Sequence, residues 1–486
     1  MMQPSCDKIL ELAGDYDVIP VCKEIYADVI TPITLLRKLA NISKRYYLLE
    51  SIEGGEKWGR YSFLGFNPVM RVFCKTDEVT IERDGVTEKT MTKKPLEVIR
   101  SIMKEYKAPN LEGLPPFAGG FVGYFAYSMI GYAEPTLNIN KGNFNDYDLM
   151  LFDKVIAYDH LKQKICIVVN MKTDKVMENY GKAMAEIESI TNIIRNAPIL
   201  EDQKIQQKVE FTCNVSKEAY CEIIEKTKEY IVDGDIFQAV IARQFTSPYE
   251  GNLINPYRVL RTTNPSPYMV YMNIDEEEIM STSPETLVRL QNGRLTTFPV
   301  AGSRPRGMDQ KEDEKLEQEL LADEKELSEH NMLVDLGRND LGRISKFDTV
   351  EVTEYQMIHK YSKIMHICSQ VEGNIREEYD GLNAIEAVLP AGTLSGAPKI
   401  RACQIINELE SEQRGIYGGA LGYLDFTGNL DTCIAIRMAV KKDGKVYVEA
   451  GGGIVADSVP EKEYEESANK AAAVMNAIMN AKEVLE

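Results

Sequence analysis

At 486 residues and 44% apolar composition, the chain can bury a large core and has the length of about two to four domain-sized units. Its 75 acidic against 56 basic side chains leave a formal charge of −19, which argues against a nucleic-acid ligand, because binding a phosphate backbone needs clustered Lys and Arg. An anionic small substrate is still allowed if a metal or a few placed arginines supply local positive charge.

The first thirty residues hold Asp7, Glu11, Asp15, Asp17 and Glu24 and no apolar run with basic flanks, so neither a secretory signal nor a transit peptide is expected. No stretch approaches the roughly 20 uninterrupted apolar residues of a membrane span. Nine scattered cysteines without a CxxC pair fit a reducing compartment, so the expected location is cytoplasmic. Between about 15 and 190, Val69-Met-Arg-Val-Phe-Cys74, Val79-Thr-Ile-Glu82 and Ile165-Cys-Ile-Val-Val169 alternate between turn residues and read as strands of an antiparallel sheet. The polar, aperiodic stretch from about 195 to 212 reads as a linker between an N-terminal region, 15–195, and a C-terminal region, 213–483. Ser216 then suits the N-cap of a helix carrying Ala219, Ile223, Ile224 and Tyr230.

Further on, the pattern predicts a helical block over 310–340, a helix after Gly396-Ala-Pro398 with Pro398 in its first turn, a β-meander over 415–456 with a hairpin at Asp443-Gly444, and a final helix over 461–483. Hairpins mixed with helices, and no βαβ repeat, indicate an α+β fold.

Glu326 and Glu329 stand at i and i+3 on one predicted helix, and Glu463 and Glu466 repeat the spacing on another, with Lys470 a turn further on. Brought together, the two pairs would make an all-oxygen site for a hard cation such as Mg2+. Either pair alone reads more simply as a solvated Glu-Lys face. Gly451, Gly452 and Gly453 follow a strand-like run; their amides would hold a carboxylate, or the triplet is a bulge or tight turn. No GxGxxG after a buried strand, no GxxxxGK[ST], no GxSxG elbow and no cysteine in a Gly-flanked turn is present, which removes the nucleotide-binding and hydrolase readings.

Taken together, Gly234-Asp-Ile-Phe-Gln238, Ser283-Pro-Glu285, Ala301-Gly-Ser-Arg-Pro-Arg-Gly307, Pro390-Ala-Gly-Thr-Leu-Ser-Gly-Ala-Pro-Lys399, Ile434-Ala-Ile-Arg437 and Ser458-Val-Pro-Glu-Lys-Glu-Tyr-Glu-Glu466 resemble the chorismate-utilising enzymes, over nearly the whole chain. The resemblance implies an α+β fold of large antiparallel sheets with helices outside, the N- and C-terminal regions packed closely together. In relatives that add water, a lysine stands where this chain has Gln238; in aminodeoxychorismate synthases, a lysine stands at Ala301. Both differences favour the anthranilate synthase branch over aminodeoxychorismate synthase, and the complete set of expected catalytic residues disfavours a non-catalytic tryptophan-binding regulator.

The resemblance further implies a lyase that aminates chorismate at C2, expels the C4 hydroxyl and eliminates pyruvate. Its cofactor would be Mg2+, held by Glu326, Glu329, Glu463 and Glu466. Tyr417 and Arg437 would clamp the enolpyruvyl carboxylate, with Gly451, Gly452, Gly453 and Lys470 on the ring carboxylate. Glu285 would act as general acid, Thr393 would line the pocket, and His366 would transfer a proton or shape the pocket. Leu48-Leu-Glu50-Ser51, Gly59-Arg60 and Asn264-Pro-Ser-Pro-Tyr-Met269 resemble tryptophan-binding segments, so Glu50, Ser51, Arg60, Pro267, Tyr268, Met269, Leu421 and Tyr423 are the expected feedback-inhibitor site, or else a packed seam. Ammonia would come from a separate glutamine amidotransferase subunit in a hetero-oligomer.

Overall fold

In a computed structural model, described for residues 2–51, 59–139, 142–202, 208–361 and 364–481, the strands pair antiparallel in two sheets of 13 and 12 strands. The main path of one sheet begins with the short strand Met2–Gln3 and runs through Val18–Tyr26, Lys164–Lys172, Lys154–Asp159, Tyr61–Phe66 and Arg45–Glu50. It continues through Tyr268–Ile274, Glu277–Ser283, Met438–Lys442, Lys445–Ile454 and Gln238–Pro248. The other leads from Val300–Pro305 and Ile364–Asn374 through Thr286–Gln291, Leu430–Ile434 and Ala420–Asp425 to Gly120–Phe125, Tyr147–Phe152 and Met70–Lys75. Each sheet is therefore built from both ends of the chain. The two regions join where Arg45–Glu50 meets Tyr268–Ile274 and where Gly120–Phe125 meets Ala420–Asp425.

Period-two alternation explains the layering. Along Gly120–Phe125, Val122 and Tyr124 enter a core between the sheets, while Phe121 and Phe125 enter a second core outside. Leu49 likewise joins the central core and Leu48 a third one. The helices Pro95–Met103 and Gly381–Val388 cover one outer face through Leu96, Ile99, Leu382 and Ile385. Pro32–Ala40, Val176–Asn196 and Pro460–Met479 cover the other through Leu35, Leu39, Ile187, Ile190, Val474 and Ile478. The result is a helix–sheet–sheet–helix arrangement, in which each fully buried Phe, such as Phe117, Phe121 and Phe152, contributes roughly 1.5–3 kcal/mol. Among the described residues, no helix is long and apolar enough to cross a membrane.

Several expected elements appear where the pattern placed them. Ser216 caps Lys217–Val232, its Oγ accepting from Ala219 N at 3.2 Å. Asp443 and Gly444, both with positive φ, turn a tight hairpin. Other expectations need correction. The block 310–340 is two helices, Gln310–Leu321 and Glu324–Gly342, because the Asp323 carboxylate accepts from Lys325 N and Glu326 N and starts a new helix. Pro398 is the extended N-cap of Lys399–Leu409, not a residue of its first turn. The N-terminal region is not sheet alone: the 21-residue helix Val176–Asn196 runs into the stretch read as linker. Residues 203–207 of that linker and 482–483 of the final helix lie outside the described residues.

Candidate active site

Two adjacent crossings between the sheets set the catalytic geometry. The chain leaves Glu277–Ser283 for Thr286–Gln291 at Pro284 and Glu285, and leaves Leu430–Ile434 for Met438–Lys442 through Arg437. The crossings hold each other: Ile434 N donates to Glu285 O at 3.0 Å, and Thr282 N donates to Arg437 O at 3.1 Å. Arg437 makes its turn at φ 48°, in the left-handed region. Between these crossings, the strand Gln238–Pro248 and the helices Glu324–Gly342 and Pro460–Met479, lies a cavity of about 670 Å3. Gln238, Glu285, Glu326, Glu329, His366, Thr393, Tyr417, Arg437, Gly451, Gly453, Glu463, Glu466 and Lys470 all line it.

Glu285 is buried, and among the described residues the side chain hydrogen-bonded to its carboxyl is Thr393, whose hydroxyl donates at 3.2 Å from the short turn Gly392–Leu394. Desolvation dominates and pushes its pKa up to about 8, only partly offset by Thr393, so the group is mainly protonated at neutral pH. His366 Nδ1 lies 2.9 Å from Gly302 O; a carbonyl only accepts, so Nδ1 carries the proton and Nε2 keeps its lone pair. Burial, with the charge of Arg437, lowers the pKa of His366 and keeps the ring neutral.

Arg437 is half-buried and, among the described residues, has no carboxylate within ion-pair distance. Its desolvation, which also lowers its pKa, makes it a ready partner for an anion in the cavity. Gln238 Nε2 donates to Glu329 Oε1 at 3.4 Å, while its buried Oε1 has no partner among the described residues. Ala301 lies on the cavity wall, where it supplies no nucleophile.

The glycine triplet is neither turn nor bulge. Gly451, Gly452 and Gly453 form a regular ladder opposite Ala242, Ile241 and Val240. On its other edge, the strand pairs with Met438–Lys442 only as far as Val448, so alternate amides of the triplet face an edge with no ladder partner. Glycine is required there: a Cβ at Gly453 would stand 2.0 Å from Gln238 Nε2, and one at Gly452 would stand 2.9 Å from Glu463 Oε2. Gly452 thus faces the glutamate helix instead of the cavity. Lys470 Nζ donates to Gly451 O at 3.1 Å and pairs with Glu466 at 2.8 Å, which leaves one of its three protons for a ligand.

The four glutamates converge as two pairs. Glu326 and Glu329 come from one helix; burial, then the charge of Glu326, raises the pKa of Glu329. Glu463 is raised by burial and by Glu466, its neighbour on the other helix. Among the described residues, no three His, Cys, Asp or Glu side chains are drawn together as a metal site. The donor set is nevertheless all-oxygen, and two like-charged pairs across one cavity repel each other in a way that a hard cation would relieve. The residues fit Mg2+ chemically, with Arg304, 3.6 Å from Glu326, offsetting part of the charge.

The expected inhibitor residues fall on the two sides of one sheet. Glu50 is buried on the helix-covered face with Met269, where it accepts from Arg261 at 3.0 Å and Tyr257 at 2.8 Å. Leu421, Tyr268 and Tyr423 lie on the opposite, inter-sheet face. Tyr423 packs on Phe117 at 4.3 Å, and Tyr268 donates to Asp431 at 2.8 Å. Arg60 is paired with Asp159 at 2.8 Å. Strand alternation separates Glu50 from Ser51 and Tyr268, so its side chain is spent on Arg261 and Tyr257, away from a ligand between the sheets. Pro267 lines a cavity of about 350 Å3 that reaches His366 and Arg437.

Sequence reasoning missed Glu449, which also lines the catalytic cavity. In the alternation Val446, Tyr447, Val448, Glu449, it falls on the side that reads as solvent. It also missed Arg414, buried below Tyr417, which pairs with Glu410 at 2.6 Å and donates to Leu394 O and Val240 O. Arg414 thereby ties the Thr393 turn to the strand bearing Gln238.

A family model described as chorismate binding enzyme matches residues 44–476. The chain is 47% identical to anthranilate synthase component 1 of Acetivibrio thermocellus, over 100% of both chains, and 44% identical to that of Aquifex aeolicus, over 99% of both. The crystal structure of anthranilate synthase component I from Streptococcus pneumoniae matches with a TM-score of 0.76 at 34% identity, covering 93% of this chain and 99% of that one. The menaquinone-specific isochorismate synthase from Escherichia coli shares the fold, with a TM-score of 0.70 at 18% identity and coverage of 97% and 98%.

Proposed function

Because the chain belongs to the chorismate-binding enzymes, in the anthranilate synthase component 1 family, we propose that it is a lyase that converts chorismate and ammonia to anthranilate and pyruvate. The observation that carries this reading is the pairing of a protonated, buried Glu285 with an unpaired Arg437 in one cavity whose residues 238 and 301 are Gln and Ala.

Arg437 forms a bidentate clamp on the enolpyruvyl carboxylate, with Tyr417 beside it. The open-edge amides of the glycine strand and the remaining proton of Lys470 hold the ring carboxylate. Mg2+, held by Glu326, Glu329, Glu463 and Glu466, would supply Lewis acidity at that carboxylate. The orphaned Gln238 Oε1 accepts an N–H of ammonia and aims its lone pair at C2, with no base required to activate a nucleophile already neutral. Glu285 gives its proton to the departing C4 hydroxyl, oriented by Thr393. His366 Nε2 then accepts the ring proton as pyruvate leaves.

Ammonia comes from a separate glutamine amidotransferase subunit, since none of the nine cysteines lies in a nucleophile turn. Cysteines held as thiols and not as disulfides also support a cytoplasmic setting. Feedback by L-tryptophan is supported by the Pro267 cavity, which adjoins Arg437, and by the aromatic and apolar side chains of Tyr268, Leu421 and Tyr423 on the inter-sheet face. Mass-spectrometric identification of the product from chorismate, Mg2+ and ammonium tests the reaction: anthranilate is expected, and isochorismate or aminodeoxychorismate would overturn it.

A further inference from the structure

One carboxylate on the cavity wall has no part in the chemistry above. Glu449 stands opposite Gln244 on the strand Lys445–Ile454, on the same face as Gly451 and Gly453. It lines the catalytic cavity and also a second, narrow cleft bounded by Asn214, Ala242, Gln244 and Glu412. That cleft has a volume of about 10 Å3, room for one molecule the size of water or ammonia. Gln244 Nε2 donates to Glu449 Oε1 at 2.7 Å, and the second oxygen has no hydrogen-bond partner among the described residues. The charged and titratable groups facing it are Glu410, Glu412, Arg414 and Tyr417. Arg414 is already committed to Glu410, and Arg243, which also lines the cleft, to Ser467 and the Tyr464 carbonyl, so the Glu412 carboxylate and the free oxygen of Glu449 are left to accept from a cation in the cleft.

Attack at C2 needs a nitrogen lone pair, which ammonium lacks. With a pKa of about 9, between those of an α-amino group and a lysine, only about one part in a hundred of dissolved ammonia is free amine at about pH 7. Resting on the amination reading above, we propose that Glu449, which lines both the narrow cleft and the catalytic cavity, is the base that converts ammonium to ammonia between them. One N–H bond of ammonium breaks, its proton goes to the Glu449 carboxylate, and its electron pair stays on nitrogen. Neutral ammonia moves on towards Gln238, and the proton returns to solvent through the cleft, resetting the residue at each turnover. Desolvation raises the Glu449 pKa to about 8 against the opposing hydrogen bond from Gln244, near enough to that of ammonium for exchange in either direction.

Wild-type protein and the Glu449→Gln variant, assayed for anthranilate with ammonium chloride from about pH 7 to 9.5, test this. The wild-type rate should exceed the variant rate by up to about tenfold at the acid end, where about one Glu449 in ten is ionised and about one ammonia in a hundred is free, and by less than about twofold at the alkaline end, where free ammonia is abundant. A ratio constant across the range, or equality at neutral pH, would overturn the proposal. If E449Q is inactive at every pH, Glu449→Asp decides: neutral-pH activity above that of E449Q supports the base, and equal inactivity overturns it. Wild-type protein that makes no anthranilate from ammonium would refute the amination reading itself, a separate outcome.

Discussion

Replacing Glu285 with Gln removes a proton donor and little else. The amide has the same shape, fits the same space between the two crossings, and still accepts from Thr393 through its oxygen, in a bond of 3.2 Å in the native protein. What is lost is the neutral carboxyl that burial maintains up to about pH 8. A general acid of this kind contributes about 10^2 to 10^4 in rate, or roughly 2.7–5.4 kcal/mol of transition-state stabilisation. The loss should fall on kcat, with KM for chorismate changed less than about threefold, because Arg437 and the glycine strand are untouched. The assay is continuous anthranilate fluorescence at saturating Mg2+, with ammonium saturating at each pH so that nitrogen supply does not shape the profile. The acid form is the active one: wild-type activity should be full below about pH 8 and decline as pH rises through that value, about tenfold per unit well above it. A variant within about threefold of wild type, or a wild-type profile with no alkaline limb, would refute the assignment.

Arg437→Lys should raise KM for chorismate by roughly 10- to 100-fold, since a point charge replaces a bidentate fork, and steady-state kinetics would show it. Arg414→Met leaves Glu410 buried without its cation and should cost about 3–5 kcal/mol in urea unfolding, part of which Glu410→Met should recover in the double variant. Chelation with EDTA should abolish anthranilate formation, and Mg2+ should restore it; direct titration calorimetry should show weaker Mg2+ binding in Glu463→Gln. Tryptophan at millimolar concentration should inhibit the wild-type protein, and Tyr423→Ala should weaken that inhibition in the same fluorescence assay.

The parts of the site that were legible in the sequence share a cause. Glu326 with Glu329 and Glu463 with Glu466 have helical spacing, and local spacing suffices to put each pair on one face. Glu285 and Arg437 lie in turn-rich segments between strand-like runs, where chains change sheets. The rest depends on which strand lies beside which, and local pattern does not carry that. The pattern leaves Gly451 to Gly453 open between amides that hold a carboxylate and a bulge or turn, whereas the need for glycine comes from Gln238 Nε2 and Glu463 crossing over the strand. Glu50 and Ser51 are adjacent in sequence and were assigned to one ligand, but successive residues of a strand face opposite sides, and Arg261 claims Glu50. The helix Val176–Asn196 was missed although Ala183, Ile187, Ile190 and Ile194 follow its period, because charged residues between them mask the stripe. Glu449 could be recognised only once Gln244 and the two clefts were placed around it.

The central claim is that the chain aminates chorismate by itself and needs a partner only to release ammonia from glutamine. The purified chain should be given chorismate and Mg2+ at alkaline pH, with either ammonium or glutamine as the nitrogen source, while anthranilate fluorescence is followed. The account predicts EDTA-sensitive anthranilate with ammonium and none with glutamine alone. Chorismate consumed without anthranilate, or left unconsumed with ammonium present, would contradict it.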